Sequence, residues 1–461
     1  MKKFLSLLLV LTMALSMSAL VACGPNEQAP GWQIGDATFD TETPVTIRFY
    51  STMGKNLVDT ITPFIEQFQE MYPNITVEHT QPGGYDEVRD TIKTELTVGE
   101  QPNIAYCYPD HVAMYNRSGK VITLDQFIEH EVYGLTDAQI ADFIEGFYNE
   151  GRQFGDDWMY TLPFSKSTEV LYYNKTFFDE HNLKVPTTWE EMEEVCRQIK
   201  EIDPASTPLG YDSENNWFIT MCEQYKSGYT SATDPHYIFD NATNREFVKM
   251  FSRWHSEGLV TTKELNGAAY TSGLFVEKKS YMSIGSSAGA THQRPAATDG
   301  EYLFEVGIAP IPQVDKNNPK VISQGPSLVI LDSGDTQENI ATWLFMKYLV
   351  TNVNLQAAFA NASGYVPVLK SVTEVPTFKA KLDAADGGNN IAYLSMKVCL
   401  EQEKYYYTSP AFNGSSTARD QVGYLMQTCM AGYTEAAKNG TVDQLIDKAF
   451  KDAINECENQ L

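Results

Sequence analysis

From Val45 onward the chain alternates two periodicities in strict succession, and this alternation constrains the fold more than any other feature. Val45-Thr46-Ile47-Arg48-Phe49-Tyr50 alternates apolar and polar side chains as a strand does. Leu57, Ile61, Ile65, Phe68 and Tyr72 then recur at helical spacing until Pro73 ends the run. Residues 74–79 read as a second strand with Ile75 and Val77 on one face. A helix from about Tyr85 aligns Val88, Ile92 and Leu96, and residues 103–108 form a third, more continuously apolar strand. Strands and helices in this order predict a parallel sheet with helices on its faces, an α/β fold.

The same grammar returns downstream. Residues 170–174 are strand-like, and Thr188 with Glu191 three positions on forms a capping box. The helix it opens carries Met192, Val195, Ile199 and Ile202 on one side. Its Glu190, Glu191, Glu193 and Glu194 read as a solvated face near a helix N-terminus, where negative charge is favoured, rather than as a catalytic cluster. Residues 327–331 are a further strand, leading into a helix with Ile340, Trp343, Leu344 and Tyr348, and a last amphipathic helix covers 442–457. No unit of 20 to 50 residues repeats, which excludes a solenoid. A length of 461 residues predicts two or three domains.

The start of the chain reads differently. Lys2 and Lys3 precede an almost uncharged apolar run over 4–20, followed by Leu20-Val21-Ala22-Cys23 and Gly24. This is a secretion signal. An uncleaved membrane anchor is the alternative, since the run approaches the length of a short span. The cysteine decides the matter, because Leu-Val-Ala-Cys resembles the lipobox of bacterial lipoproteins, in which the signal is cut before a Cys that is then acylated. Residues 1–22 are then the signal peptide and Cys23 the lipidated residue. Residues 23–43, rich in Pro, Gly, Asn and acidic residues, are a flexible tether holding an exported protein on the outer face of the cell membrane. Cleavage removes two lysines and takes the net charge from −26 to −28.

That charge, from 34 Lys plus Arg against 60 Asp plus Glu, repels phosphate backbones and anionic lipid. Nucleic acid is excluded as a partner, and membrane contact is left to the lipid anchor. The six cysteines after Cys23 are widely spaced, with no Cys-x-x-Cys, so neither zinc nor redox chemistry is indicated. Buried free thiols are the default, and disulfides stay open. The chain lacks a phosphate-binding loop, a zincin motif and a dinucleotide fingerprint. Its seven histidines are scattered. Asp383-Ala-Ala-Asp-Gly-Gly388 lacks the later acidic ligands of a calcium loop and reads as a surface turn. Paired carboxylates for glycoside hydrolysis meet only in space, and nothing singles out a pair. The expectation is a protein that is not an enzyme, with no catalytic residue, cofactor or metal.

Leu162-Pro-Phe-Ser-Lys-Ser-Thr-Glu-Val-Leu-Tyr-Tyr-Asn-Lys175, Phe177-Phe178 and Val185-Pro-Thr-Thr-Trp-Glu-Glu191 resemble the central signature of family 1 extracellular solute-binding proteins. The Val45–Tyr50 strand, Ser363-Gly-Tyr-Val-Pro-Val368 and the lipobox stand in the matching order. These proteins are the ligand-capturing subunits of ABC importers. The resemblance implies a two-lobed, periplasmic-binding-protein-like α/β fold of type II, a hinge of three crossings and a ligand cleft between the lobes. The crossings are expected near 164–166, 307–310 and 363–367. Lobe 1 is then 44–165 with 310–363, and lobe 2 is 166–309 with 364–461. The implied function is capture of a carbohydrate-class solute by a monomer that closes on it and hands it to permease subunits. Binding of glycerol 3-phosphate or a related polyol phosphate is the alternative; a secreted glycoside hydrolase and a sensor-associated binding protein are more distant ones.

Within the family, resemblance to glycerol-3-phosphate-binding members carries over at Tyr85, Ser167, Ser286 or Ser287, Gly325, Tyr365 and Arg419. A guanidinium fork, hydroxyls and a loop amide are the groups that surround a phosphate. Where those members have a Glu after the third strand, this chain has Tyr108-Pro109-Asp110, which makes Tyr108 and Asp110 the candidates there. Trp217 is either a stacking platform for a sugar face or a core residue, and Trp189 is assigned to the core. The competing structural readings are a hinge-packing role for Tyr365, a turn role for Ser286 and Ser287, and a surface ion pair of Arg419 with Asp420. Lys166, beside the hinge, is a ligand donor or solvated.

Overall fold

The computed structural model describes residues 30–267 and 270–459. Two five-stranded mixed sheets organise it. In the first, β1 (Val45–Tyr50), β2 (Ile75–Thr80) and β3 (Ile104–Cys107) are parallel, while β4 (Leu162–Pro163) and β13 (Ser327–Ile330) complete the order β2-β1-β3-β13-β4. The second contains β5 (Glu169–Asn174), β6 (Leu209–Tyr211), β7 (Val260–Thr262), β8 (Met282–Ser286) and β11 (Val306–Pro310), in the order β11-β5-β8-β6-β7. A hairpin of β9 (Ala297–Thr298) and β10 (Glu301–Tyr302) and a parallel pair of β12 (Val321–Ile322) with β14 (Tyr406–Tyr407) are added to these. The first sheet is mixed rather than purely parallel because β13 enters from the other lobe and runs antiparallel to β3.

Local sequence explains the helices that cover the sheets. Helix Lys55–Met71 buries Ile61, Ile65 and Phe68 and ends at Tyr72 ahead of Pro73. Helix Trp189–Ile202 begins with the expected reciprocal box: Glu191 N donates to Thr188 Oγ1 (3.2 Å) and Thr188 N to Glu191 Oε2 (3.3 Å). Of its acidic face, Glu193 is held by Arg197 and Arg253. All six cysteines from Cys107 to Cys457 are free and buried. In the 383–388 turn Asp386 accepts from Gly388 N and Asn390 N at 2.9 and 3.0 Å.

Three passages of chain lie side by side between the sheets. Lys166 and Val366 exchange backbone hydrogen bonds (3.2 and 2.7 Å), as do Ser167 and Gln324 (2.9 and 2.8 Å). The second passage is therefore at Gln324, not at 307–310. There β11 pairs with β5 along its whole length, from Val306↔Asn174 to Pro310↔Val170, and the chain joins the first sheet only at Ser327. Sequence periodicity marks β11 as extended but is blind to which sheet it joins. The third expected boundary also shifts. Residues 366–372 pack on the first lobe, with Ile144 N donating to Val368 O and Ser371 Oγ to Asp142, before helix Ile391–Glu401 crosses to the second sheet.

The stretch expected to be a tether as far as residue 43 is docked from Trp32 onward. The Trp32 ring stacks on Phe127 (5.6 Å, 28°), Ile34 is buried, and Ile34 N donates to Gln126 Oε1 at 2.6 Å. Phe39 N donates to Tyr133 Oη, and the Gln337 amide brackets Thr38 O and Asp40 N. Three apolar side chains without a period suffice for docking and leave no pattern to read. Cys23 and residues 1–22 lie outside the described residues.

Candidate functional site

A cavity of about 470 Å³ lies between the lobes. It falls where the loops after β2, β3 and β6 feed helices, the carboxyl-end position that open α/β sheets favour for ligands. From the first lobe, helix Tyr85–Leu96 supplies Tyr85, Asp86 and Arg89, and helix Pro109–Asn116 with its cap Tyr108 supplies Asp110 and His111. From the second, Asn215 and Ile219 come from helix Glu214–Tyr225, while Arg419 and Asp420 come from helix Ser415–Asn439. Ile322 to Gln324 form part of the floor, and Tyr229, Lys263 and the 408–411 stretch complete the wall.

Two of the sequence candidates meet as rings: Tyr85 and Tyr108 have centroids 4.7 Å apart, tilted by 52°. Tyr365 lies near the Tyr85 and Tyr108 phenols, at the third crossing, without lining the cavity. Burial raises the phenol pKa of all three, so they stay neutral and act as hydrogen-bonding rings. Burial also pulls the His111 imidazole below its ordinary value.

Glu150 forms the floor. It is 2% exposed, pairs with the fully buried Lys166, and accepts from Ser323 Oγ (2.9 Å), Ser327 Oγ (3.1 Å) and Thr408 Oγ1 (3.1 Å). Lys166 also donates to Gly325 O at 2.9 Å. Lys166 is thus neither a ligand donor nor solvated. One ion pair joins the first lobe, two crossings and the second lobe.

Arg419 does not pair with a surface acid. Its guanidinium donates to Asn216 Oδ1, and Asn216 Nδ2 donates in turn to Glu169 Oε1 (3.0 Å), whose other oxygen accepts from Tyr211 Oη (2.5 Å). Burial pushes the Glu169 carboxyl up to about 7, against the pull of those two donors. Asp420, expected on the surface, lines the cavity; burial first, then Asp110 and Asp86 across the cleft, raise its carboxyl above the ordinary range. Arg89 is committed to Asp86 (2.8 Å) and Asp90 (2.9 Å).

Other candidates stand elsewhere. Trp217 is fully buried, stacked on Tyr211 (4.6 Å, 12°) and against Phe251 (4.1 Å), so it is core and not a platform. Its side of the helix is apolar, while Asn215 and Ile219 on the same helix reach the cleft. Trp189 is core as expected. Ser286 caps the following turn by accepting from Ala288 N, and Ser287 Oγ accepts from Thr168 N at 3.1 Å. Ser167 pairs with Gln324 at the hinge through its backbone N and O. Gly325, at φ 88°, is required by the close approach of the first crossing, since a β-carbon there would lie 2.5 Å from Ser165 O. None of these four lines the cavity. Sequence reasoning missed Asp86, Glu150, Tyr229, Lys263, Gln324 and Thr408. Asp86 follows a candidate directly, whereas the others are isolated polar residues with no local signal. Among the described residues no group of three or more His, Cys, Asp or Glu could hold a metal ion, and no helix is long and apolar enough to cross a membrane.

This architecture is that of a two-lobed, type II binding protein. Solved structures similar to it include the sugar-binding protein MalE from Xanthomonas citri (TM-score 0.71, 16% identity, covering 90% of this chain and 98% of that one). UgpB from Mycobacterium tuberculosis in complex with glycerophosphocholine is also similar (TM-score 0.70, 17% identity, 90% and 99%). The sequence matches the bacterial extracellular solute-binding protein family over residues 64–385, and the chain belongs to that family. Among curated relatives, the multiple sugar-binding protein of Streptococcus mutans is 22% identical over 73% of this chain and 78% of its own length. The sn-glycerol-3-phosphate-binding periplasmic protein UgpB of Escherichia coli strain K12 is 20% identical over 73% and 77%.

Proposed function

We propose that this chain is the substrate-binding subunit of an ABC importer, a monomer lipidated at Cys23 on the outer face of the cell membrane. It captures a neutral saccharide in the cleft between its lobes and delivers it to the permease in the closed state. It performs no chemistry on that solute. The lobes follow the two sheets, with the second boundary at Gln324. Closure brings ligand-contacting groups of both lobes together, so ligand shifts the population toward the closed form.

The observation that carries the saccharide reading is the composition of the interlobe cavity. Four acidic side chains line it, Asp86, Asp110, Glu150 and Asp420, against three basic ones, Arg89, Lys263 and Arg419, and of those Arg89 is committed to Asp86 and Asp90. What faces the solute is a set of phenol rings, Asn, Gln, Ser and Thr side chains, and the carboxylates Asp110 and Asp420 beside Arg419 and Lys263. Such a lining suits many neutral hydroxyls and apolar sugar faces. A phosphate dianion needs convergent donors. Of the phosphate-like candidates only Tyr85 and Arg419 line the cavity. A polyol phosphate is the second reading, favoured by the Arg419 guanidinium, which bonds a neutral amide and so keeps its charge for a ligand. The sugar-binding and glycerol-3-phosphate-binding relatives support the two readings respectively.

Calorimetry against maltose, maltotriose, raffinose, xylobiose and sn-glycerol 3-phosphate tests this. The wild type is expected to bind a saccharide one to one. Arg419→Ala is expected to lose about tenfold or more in affinity with a melting temperature within about 2 °C of wild type. Binding of the phosphate ester alone replaces the first reading by the second, and sustained product release from a saccharide overturns both.

A further inference from the structure

Tyr229 is the residue of the cleft whose chemistry the closed set of contacts leaves unfinished. Its side chain is 8% exposed and lines the cavity, yet its hydroxyl is buried without a hydrogen-bond partner. A buried, unpaired hydroxyl is unfavourable unless something else satisfies it. Other buried tyrosines of the second lobe are satisfied. Tyr172 donates to Ser286 O (2.8 Å), Tyr211 to Glu169 (2.5 Å) and Tyr281 to Asp203 (3.1 Å), and the half-buried Tyr407 donates to Thr220 (3.1 Å). Tyr106 and Tyr115 also lack partners, but neither lines the cavity.

The Tyr229 ring is fixed in place. Ile238 N donates to Tyr229 O at 3.1 Å, Thr230 bridges Tyr237, and the fully buried Asn244 holds Gly228 O at 3.0 Å. Phe218 and Phe239 pack against the ring at centroid distances of 6.4 and 6.1 Å. The loop that carries it reaches across to the first lobe. A β-carbon added to Gly155 would lie 2.8 Å from Ala232 Cβ. Arg419 and Asp110, from opposite lobes, line the same cavity as Tyr229.

We propose that Tyr229 is a ligand-contacting, specificity-determining residue: its hydroxyl, presented by the second lobe, hydrogen-bonds one hydroxyl of the bound saccharide. The inference rests on the saccharide reading above and adds a direct contact that neither the sequence pattern nor the phosphate-like candidate set contains. Rigid presentation lowers the ordering cost of the contact and makes the phenol selective for the position of the ligand hydroxyl.

The test is Tyr229→Phe, which removes one oxygen and keeps the ring. The saccharide of the above panel that binds wild type most tightly is titrated into both proteins, together with its singly deoxygenated analogues. Affinity of the variant is expected to fall about tenfold, while one deoxy analogue binds both proteins equally, because its missing hydroxyl is the partner of the missing phenol. The melting temperature without ligand is expected to stay level or rise, since the unpaired oxygen is gone. A hydroxyl satisfied by ordered water alone gives affinities within about twofold of each other, and that overturns this inference while leaving the saccharide reading intact. Failure of the wild type to bind any saccharide of the panel overturns the saccharide reading and this inference with it.

Discussion

At the crossings, Glu150 is paired with the Lys166 ammonium and takes three hydroxyl donors; in the second lobe, the equally buried Glu169 has only Tyr211 and Asn216, and burial pushes its carboxyl up to about 7. The two carboxylates stand on opposite sides of the cleft chemistry. The first belongs to an ion pair whose atoms join the first lobe, two crossings and Thr408 of the second lobe, so it acts on where the lobes sit. The second is a titratable group whose neighbour Asn216 holds the Arg419 guanidinium, so it acts on how one ligand group is presented. A buried charge with its counter-ion is rigid, and a buried carboxyl with neutral donors is soft.

The largest effect that sharpens this contrast comes from Lys166→Met. Leaving Glu150 buried without its cation is expected to cost about 3–5 kcal/mol of unfolding free energy in a denaturant titration. Glu150→Gln combined with Lys166→Met is expected to recover most of it, because the uncompensated charge is gone. A single variant as stable as wild type would show that the pair is solvated and not structural.

Glu169 gives the next effect, with a sign that differs from that of a salt-bridged acid. Its folded pKa, about 7, lies above the ordinary 4.5. Between those values the folded chain keeps a proton that the unfolded chain has lost. The contribution is fully present below about pH 4.5 and is lost as pH rises through about 7. It amounts to about 3 kcal/mol across that window. Stability measured against Glu169→Gln should therefore diverge with pH, the wild type losing ground as pH rises. Parallel curves would remove Glu169 from the account.

Asn216→Ala breaks the link between Glu169 and Arg419. It is expected to weaken ligand binding about fivefold to tenfold by freeing Arg419, without the loss of stability seen at Lys166. Removing a single donor from the crossing carboxylate, Thr408→Val, is the smallest change. It is expected to cost about 1 kcal/mol in stability, because Lys166 and two serines still satisfy Glu150.

What the sequence made legible follows the same division. The sheet strands, the Thr188 to Glu191 capping box and the helix that buries Ile61, Ile65 and Phe68 are local patterns, and the structure repeats them. Tyr85, Tyr108, Asp110 and Arg419 all reach the cavity, each at or near a helix start where strand-to-helix order fixes its position. Glu150 and Thr408 were invisible because each is a lone polar residue that meets the other only in space, and Tyr229 because it stands on a loop without a period. Trp217 sat on a helix that is apolar on one side and faces the cleft on the other; the side chain belongs to the apolar side. The place of the second crossing depended on a strand partner, and the docking of Trp32 to Asp40 on aperiodic contacts. Neither kind of information is carried by the period of a single segment.

Small-angle scattering of the wild type and Arg419→Ala, with and without the saccharide that saturates the wild type, tests the central claim most directly. Capture between the lobes predicts that the radius of gyration of the wild type shrinks at saturation, while Arg419→Ala at the same ligand concentration keeps the ligand-free radius. A wild type that is saturated in calorimetry yet unchanged in radius would contradict closure around a ligand held between the two lobes.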